Sequence, residues 1–293
     1  MNGVCLQKLF ALQIISTICV CGAGTMGSGI AQVSAMAGFN TILFDVNEAM
    51  LFKGKTVIEN SLQKLLDKGK IAAGEKDAIT NRLQFTNRLD DCVAELIIEA
   101  VVENETAKVQ LFNNLAAVNK KDTIFASNTS SISVTAIAEK VENPSRVAGM
   151  HFFNPAPVMK LVEVVKTQLA DENTIETIVA VARQMGKVPV VCKDAPGFIV
   201  NRVARHYYLE AMKLVEQGIA DIETVDNIME ATGFKMGPFR LMDLIGLDIN
   251  YSVSNIVWEA LGKPERLKPS PLQKAKVEAG ELGKKTGKGF YTG

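Results

Sequence analysis

The chain of 293 residues carries 32 basic and 32 acidic side chains and is 47% hydrophobic, the balance of an ordinary globular protein whose core needs no metal or disulfide staple. Its length predicts one large or two moderate domains, and its zero net charge points to neither nucleic acid nor an anionic membrane as a partner. The odd set Cys5, Cys19, Cys21, Cys92 and Cys192, without a C-x-x-C pair, suits reduced thiols in a cytoplasmic protein, and with only His151 and His206 no metal site is expected.

Lys8 followed by the apolar run Leu9–Val20 has the look of a short signal peptide, but the run is too short to cross a bilayer and leads straight into a glycine loop. Cleavage would remove the strand from which that loop hangs. A strand over Ile14–Cys21 is therefore expected, with residues 1–13 a loosely specified extension. Gly22-Ala23-Gly24-Thr25-Met26-Gly27 is a G-x-G-x-x-G sequence between this strand and a helix over Met26–Ala37. A second strand, Thr41–Phe44, ends at Asp45, close to the ~20-residue offset of a ribose-binding acid. In this context Gly22 permits the tight turn, Gly24 admits the pyrophosphate, and Gly27 lets helix and strand pack closely. The phosphates meet unpaired N–H groups at the helix start. Asp45 can accept hydrogen bonds from both ribose hydroxyls and repels a 2′-phosphate, which favours NAD over NADP.

A helix over Glu48–Lys70 follows, whose lysines read as a solvated face. Strands at Leu96–Val101, Thr123–Ser127 and Arg146–Met150 alternate with helical stretches such as Glu105–Val118, so the first two-thirds of the chain is expected to form a doubly wound parallel sheet. Ser127–Ser131 are candidates to cap the next helix, and Glu99 and Glu103 end a strand, with a solvated loop as the plainer alternative. His151 ends a predicted strand, where open α/β sheets place their ligand crevice. Pro155 and Pro157 force a turn, and an antiparallel return brings Glu163, as far beyond Pro157 as His151 is before it, face to face with the histidine. Such a carboxylate can hold one imidazole N–H and stabilise the imidazolium, leaving the other nitrogen to exchange a proton with an alcohol. A lone core histidine with an exposed Glu163 is the alternative. Strands at Leu161–Val165 and Lys187–Val191 flank a helix at Thr174–Met185. Beyond Cys192 the sequence Asp194-Ala195-Pro196-Gly197 breaks the chain, and helices are expected at Phe198–Gln217, Ile222–Thr232, Pro238–Leu261 and Pro271–Ala279, with Gly218 and Gly233 at C-cap positions. The boundary is drawn at 192, giving a Rossmann-type α/β domain (1–192) and an all-helical domain (193–293).

The set GAGTMGSGIAQ (22–32), EAVVEN (99–104), SNTSS (127–131), HFFNPAPVMKLVEVV (151–165), APGFIVNR (195–202), MGPF (236–239) and GKKTGKGFY (283–291) resembles the 3-hydroxyacyl-CoA dehydrogenases, and among them the short bacterial 3-hydroxybutyryl-CoA dehydrogenases, over nearly the whole chain. The resemblance implies reversible, NAD-dependent oxidation of a (3S)-3-hydroxyacyl-CoA to the 3-oxoacyl-CoA, between the two domains of a homodimer. It implies His151 as the general base, Glu163 as its orienting acid, and Ser130 and Asn201 as the groups that hold the acyl carbonyl, with Ser130 also near the nicotinamide. Glu103, Lys108, Asn154 and Lys285, with the Gly22–Gly27 loop and Asp45, match cofactor-site positions; Ser61 and Lys68 match positions that touch coenzyme A. Two other readings share parts of the pattern: a β-hydroxyacid dehydrogenase of the lysine-based type, against which HFFNP argues, and a non-catalytic NAD-binding protein similar to lambda-crystallin, against which an intact His151, Glu163 and Asn201 argue. Arg240 after MGPF departs from the acidic residue common in the family, which bears on local pairing in the helical domain.

Overall fold

The computed structural model describes residues 12–292; the expected extension over residues 1–13, including Cys5, falls almost wholly outside them. The chain divides into two compact units, the first ending at Asp194 and the second beginning at Ala195.

The first unit is an eight-stranded sheet: β1 (Thr17–Cys21), β2 (Asn40–Phe44), β3 (Leu83–Thr86), β4 (Leu96–Glu99), β5 (Ile124–Ser127), β6 (Val147–Phe152), β7 (Leu161–Lys166) and β8 (Val188–Lys193). Their spatial order is β3-β2-β1-β4-β5-β6-β7-β8. The strands from β3 to β6 are mutually parallel, β7 runs antiparallel to β6, and β8 is parallel to β7. Connection length explains the reversal. A short proline turn joins β6 to β7 as a hairpin, whereas the other strands are joined by longer crossovers, mostly helical. Helices α1 (Thr25–Met36), α2 (Glu48–Asp67), α3 (Ala73–Asn81), α4 (Glu105–Val118), α5 (Val134–Ala138) and α6 (Glu172–Gln184) fill the connections. The central strands β4, β5 and β6 are buried throughout, so they read as continuous apolar runs and not as alternating ones.

Sequence periodicity located most of these elements but not α3 and β3. β3 is four residues long, half-exposed and at the sheet edge, so only Leu83, Phe85 and Thr86 carry a burial signal. β8 continues to Lys193, past the boundary drawn at 192. Asp194 stays with the first unit because its carboxylate accepts hydrogen bonds from Ser133 Oγ and Thr135 N–H, both at 2.7 Å.

The second unit contains α7 (Val200–Glu216), α8 (Ile222–Ala231), α9 (Pro238–Ile245), α10 (Leu247–Ala260) and α11 (Pro271–Glu278) around Tyr208, Met212, Phe239, Met242 and Val257. Arg205 is buried among these helices and ties α7 to α10 through Asn250 O and Ser254 Oγ, each 2.8 Å away. No helix of the described residues is long and apolar enough to cross a membrane.

The single helix expected over 238–261 is two helices. Gly246 adopts φ +103° between them, and the Leu247 N–H donates to Leu282 O (3.2 Å) instead of continuing the helical ladder. Only glycine takes this backbone without strain. Gly246→Ala is therefore expected to lower unfolding stability by about 1–3 kcal/mol, read as a drop in the denaturant midpoint at unchanged slope.

Candidate active site

Strand order reverses around β1: β2 lies on one side and β4 on the other. The C-terminal ends of these strands and of β5 open a crevice of the kind that binds dinucleotides in doubly wound sheets. Its first wall is the glycine loop. Gly22 has φ +103°, its N–H donates to Phe44 O (2.7 Å), and a Cβ here would come within 2.6 Å of Ala100 O. A Cβ on Gly27 would overlap Gly22 O at 1.7 Å, whereas one on Gly24 would meet no protein atom within 4 Å. Gly24 thus keeps open space over the start of α1, whose first N–H groups receive no side-chain cap and have no acidic neighbour in the first turn. This is the environment a pyrophosphate requires. Asp45, at the end of β2, reaches back to the loop: Oδ2 accepts the Ala23 N–H (2.8 Å) and Oδ1 the Asn47 N–H (2.9 Å). Ala23, Thr25 and Met26 complete the loop and the first turn of α1. The residues present fit an NAD-type cofactor.

His151 and Glu163 occupy opposite positions in the antiparallel β6–β7 pair. His151 Nδ1 lies 2.8 Å from Glu163 Oε2, and the side chains are 7% and 1% exposed, so the contact is a shielded, charge-assisted hydrogen bond. With Nδ1–H donating to the carboxylate, Nε2 carries the lone pair. The Phe153 ring packs on the imidazole at 4.6 Å. Burial, followed by the charges of Glu163 and Asp194, pushes the Cys192 thiol up to about 11, so it stays protonated at neutral pH.

The SNTSS segment does not cap the following helix; Ser133 does, accepting the Ala136 N–H. Instead Thr129 Oγ1 and Ser131 Oγ donate to Glu103 (2.5 and 2.8 Å), as does the Ser130 N–H (3.2 Å). Lys108 is 1% exposed and ion-paired with Glu99 (2.6 Å) and Glu103 (3.1 Å). Glu99 is the last residue of β4 and fully buried, which sets aside the solvated-loop alternative for it. An acid closing the apolar run Leu96–Glu99 in a central strand was the available signal, because a buried carboxylate demands a partner. Two further positioning groups carried no sequence signal. Asn128 Oδ1 accepts the Phe152 N–H (2.8 Å), and the buried Lys187 ammonium holds the carbonyls of Ala156 (2.5 Å) and Met159 (2.9 Å) in the proline turn. Burial, then Lys160, lowers the Lys187 pKa. Asn154, one residue before Pro155, is exposed on that turn.

The remaining expected site residues are carried by other elements. Ser61 stands on α2, half-buried, and Lys68, exposed, is the residue that caps its C-terminal end. In the second unit, Asn201 stands in the first turn of α7 and not in a helix interior, so the propensity penalty expected for a mid-helix asparagine does not apply. Lys285 pairs with Asp248 at 2.6 Å. Arg240 finds its counter-charge in Glu230 (3.1 Å) and Asp226 (3.7 Å) and lies over the Tyr291 ring, which settles its local pairing.

A dinucleotide crevice at a sheet switch point, with an imidazole–carboxylate pair on the adjoining hairpin, is the arrangement of a nicotinamide-dependent oxidoreductase. Residues 17–195 match the 3-hydroxyacyl-CoA dehydrogenase NAD binding domain and residues 197–293 the 3-hydroxyacyl-CoA dehydrogenase C-terminal domain. The chain is 42% identical over 274 residues to a probable 3-hydroxybutyryl-CoA dehydrogenase of Deinococcus radiodurans, covering 93% of this chain and 98% of that one. It is 42% identical over 288 residues to the human mitochondrial hydroxyacyl-coenzyme A dehydrogenase, covering 95% and 91%. The crystal structure of (S)-3-hydroxybutyryl-CoA dehydrogenase from Ralstonia eutropha superposes with a TM-score of 0.92 at 36% identity, covering 95% of this chain and 99% of that one. The chain belongs to the 3-hydroxyacyl-CoA dehydrogenase family.

Burial alone raises the Glu103 pKa, but the Lys108 ammonium and the Thr129 and Ser131 hydroxyls outweigh it and hold the carboxyl below its ordinary value. A carboxyl with a depressed folded pKa stabilises the fold above its unfolded pKa and loses that contribution as the pH falls through the folded value. Glu103→Gln is therefore expected to melt below wild type near neutral pH, and the gap should close as the pH is lowered through and below the ordinary carboxylate range.

Proposed function

We propose that this protein catalyses the reversible NAD-dependent oxidation of a (3S)-3-hydroxyacyl-CoA, with 3-hydroxybutyryl-CoA and acetoacetyl-CoA as the four-carbon pair. The observation that carries this reading is the buried His151–Glu163 contact on the hairpin beside the glycine-loop crevice. Glu163 orients the ring and stabilises the imidazolium, so His151 Nε2 accepts the proton of the substrate C3 hydroxyl. NAD, when bound, supplies the hydride acceptor. In the reducing direction His151 returns the proton to the developing alkoxide. Ser130 and Asn201 are assigned to the thioester carbonyl, Ser61 and Lys68 to the coenzyme A moiety, and Glu103, Asn154 and Lys285 to the cofactor, with Lys108 acting through Glu103. These roles are supported by family membership and by the matched motifs. We place the enzyme in cytoplasmic short-chain fatty-acid or butyrate metabolism as a homodimer. Ile228, Phe234 and Ile249, exposed apolar side chains of the second unit, support a partner surface there.

Wild-type protein is expected to oxidise NADH with acetoacetyl-CoA, followed at the NADH absorbance. His151→Ala should lower kcat by roughly 10²–10⁴ in a protein that still folds but melts below wild type, because Glu163 loses its buried partner, and Glu163→Gln should lower kcat by roughly tenfold or more. No turnover by the wild type, or full activity in His151→Ala, would overturn the reading.

Asp45 is assigned to the adenosine ribose, where its charge selects NAD over NADP. In Asp45→Ser the ratio of kcat/KM for NADH to that for NADPH should fall by about tenfold or more, since a charged hydrogen-bond acceptor is lost for one cofactor and a repulsion for the other.

A further inference from the structure

Arg205 stands on α7 and is 3% exposed, yet none of its donors meets a carboxylate. Nε donates to the main-chain oxygen of Asn201 (3.1 Å), and Nη1 donates to Asn250 O (2.8 Å), Asn250 Oδ1 (3.3 Å) and Ser254 Oγ (2.8 Å). Nη2 has no acceptor among the described residues. The buried Arg146, by contrast, has Asp171 at 3.8 Å. Burial pulls the Arg205 pKa down to about 10, so the group is still a full cation at neutral pH. Asn250 carries a second surplus donor. Its Oδ1 accepts from Arg205 and from Gln273 Nε2 (3.0 Å), which fixes the amide and leaves Nδ2 buried without a partner.

A cation without a counter-charge in a helical core is costly, and an apolar side chain of similar shape would join α7 to α10 without that cost. A guanidinium retained there suits an anion that binds and leaves, and its planar fork matches a carboxylate. Its position indicates which carboxylate. The guanidinium reaches back along α7 to the main chain of Asn201, whose side chain is assigned above to the thioester carbonyl. An acyl chain held there by its first carbon ends a short way off, since six carbons joined by C–C bonds of ~1.5 Å span about 6 Å. We propose that Arg205 is a specificity residue that receives a carboxylate at the far end of the acyl chain, so that the preferred substrates are 3-hydroxyacyl-CoA half-thioesters of dicarboxylic acids. The inference deepens the hydroxyacyl-CoA reading and rests on it, and on Asn201 as the carbonyl-binding residue. The four-carbon pair is then a smaller substrate that leaves the guanidinium without its anion.

The test uses two 3-oxoacyl-CoA substrates of equal length: 3-oxoadipyl-CoA, which ends in a carboxylate, and 3-oxohexanoyl-CoA, which ends in a methyl group. For each, kcat/KM is read from NADH oxidation in the wild type, Arg205→Leu and Arg205→Lys, beside thermal melting. The wild type is expected to favour the carboxylate by about tenfold or more, because a site built around a charged donor discriminates against the analogue that lacks its acceptor. Arg205→Leu should abolish or reverse that preference, mainly through KM for the charged substrate. Arg205→Lys should keep part of it, having the charge without the fork. A purely structural arginine would lower the melting temperature and both kcat/KM values together, leaving their ratio unchanged. A wild type that treats the two substrates alike, or favours the methyl end, would overturn the proposal, as would an unaltered ratio in folded Arg205→Leu. If neither variant folds, the wild-type ratio decides. Turnover of both substrates without preference leaves the hydroxyacyl-CoA reading standing, whereas turnover of neither, nor of acetoacetyl-CoA, sinks both.

Discussion

Much of this structure depends on one strand running the wrong way. Parallel β6 places His151 at its carboxyl end, where a doubly wound sheet collects its chemistry, but a parallel neighbour would set no residue squarely opposite it. Because β7 returns through a short turn, Glu163 stands directly across from His151, and a carboxylate that would otherwise be intolerable in a core strand becomes the histidine's partner. The contact orients the imidazole and favours the tautomer with its proton on the nitrogen that faces Glu163. The proline turn that permits the reversal is itself braced by Lys187, which holds the carbonyls of Ala156 and Met159.

The same economy of buried charge governs the crevice. At the ends of β4 and β5 three ionisable groups, two acids and one ammonium, are almost wholly spent on one another, on hydroxyls and on backbone amides. Displacing Glu99 or Lys108, both buried, would leave a charged group unsatisfied, whereas Glu103 is 38% exposed. The glycine loop is rigid for a different reason. Gly22 and Gly27 are packed so closely that a single methyl group would collide with backbone, while Gly24 is left open. Tight packing at two glycines thus preserves the room needed at the third.

The helical unit relies on buried acids as staples. Asp226 receives the N–H groups of Phe239 and Arg240 and the Tyr291 hydroxyl, and Asp243 receives the N–H groups of Phe290 and Tyr291. These two residues fasten the C-terminal segment that carries Lys285. The glycines of the MGPF and GKKTGKGFY motifs leave room for the acids: a Cβ on Gly237 would lie 2.4 Å from Asp226, and one on Gly289 would lie 2.1 Å from Asp243. Gly289 therefore answers to a carboxylate far away in the sequence.

Local chemistry made the alternation of strands and helices, the glycine fingerprint, the acid after β2 and the symmetric spacing of His151 and Glu163 about Pro157 legible in the sequence, since each is a pattern within some twenty-five residues. Short, half-exposed β3 and the break at Gly246 were not, because a four-residue edge strand has too little periodicity and a single glycine is tolerated within a helical pattern. Beyond reach were the partners of other buried polar groups: Glu99 with Lys108, Asn128 with the Phe152 amide, Lys187 with its two carbonyls. A sequence announces that a residue is polar. Only the folded chain decides whether water is excluded around it, and that exclusion turns an ordinary surface lysine or glutamate into a fixed element of the site.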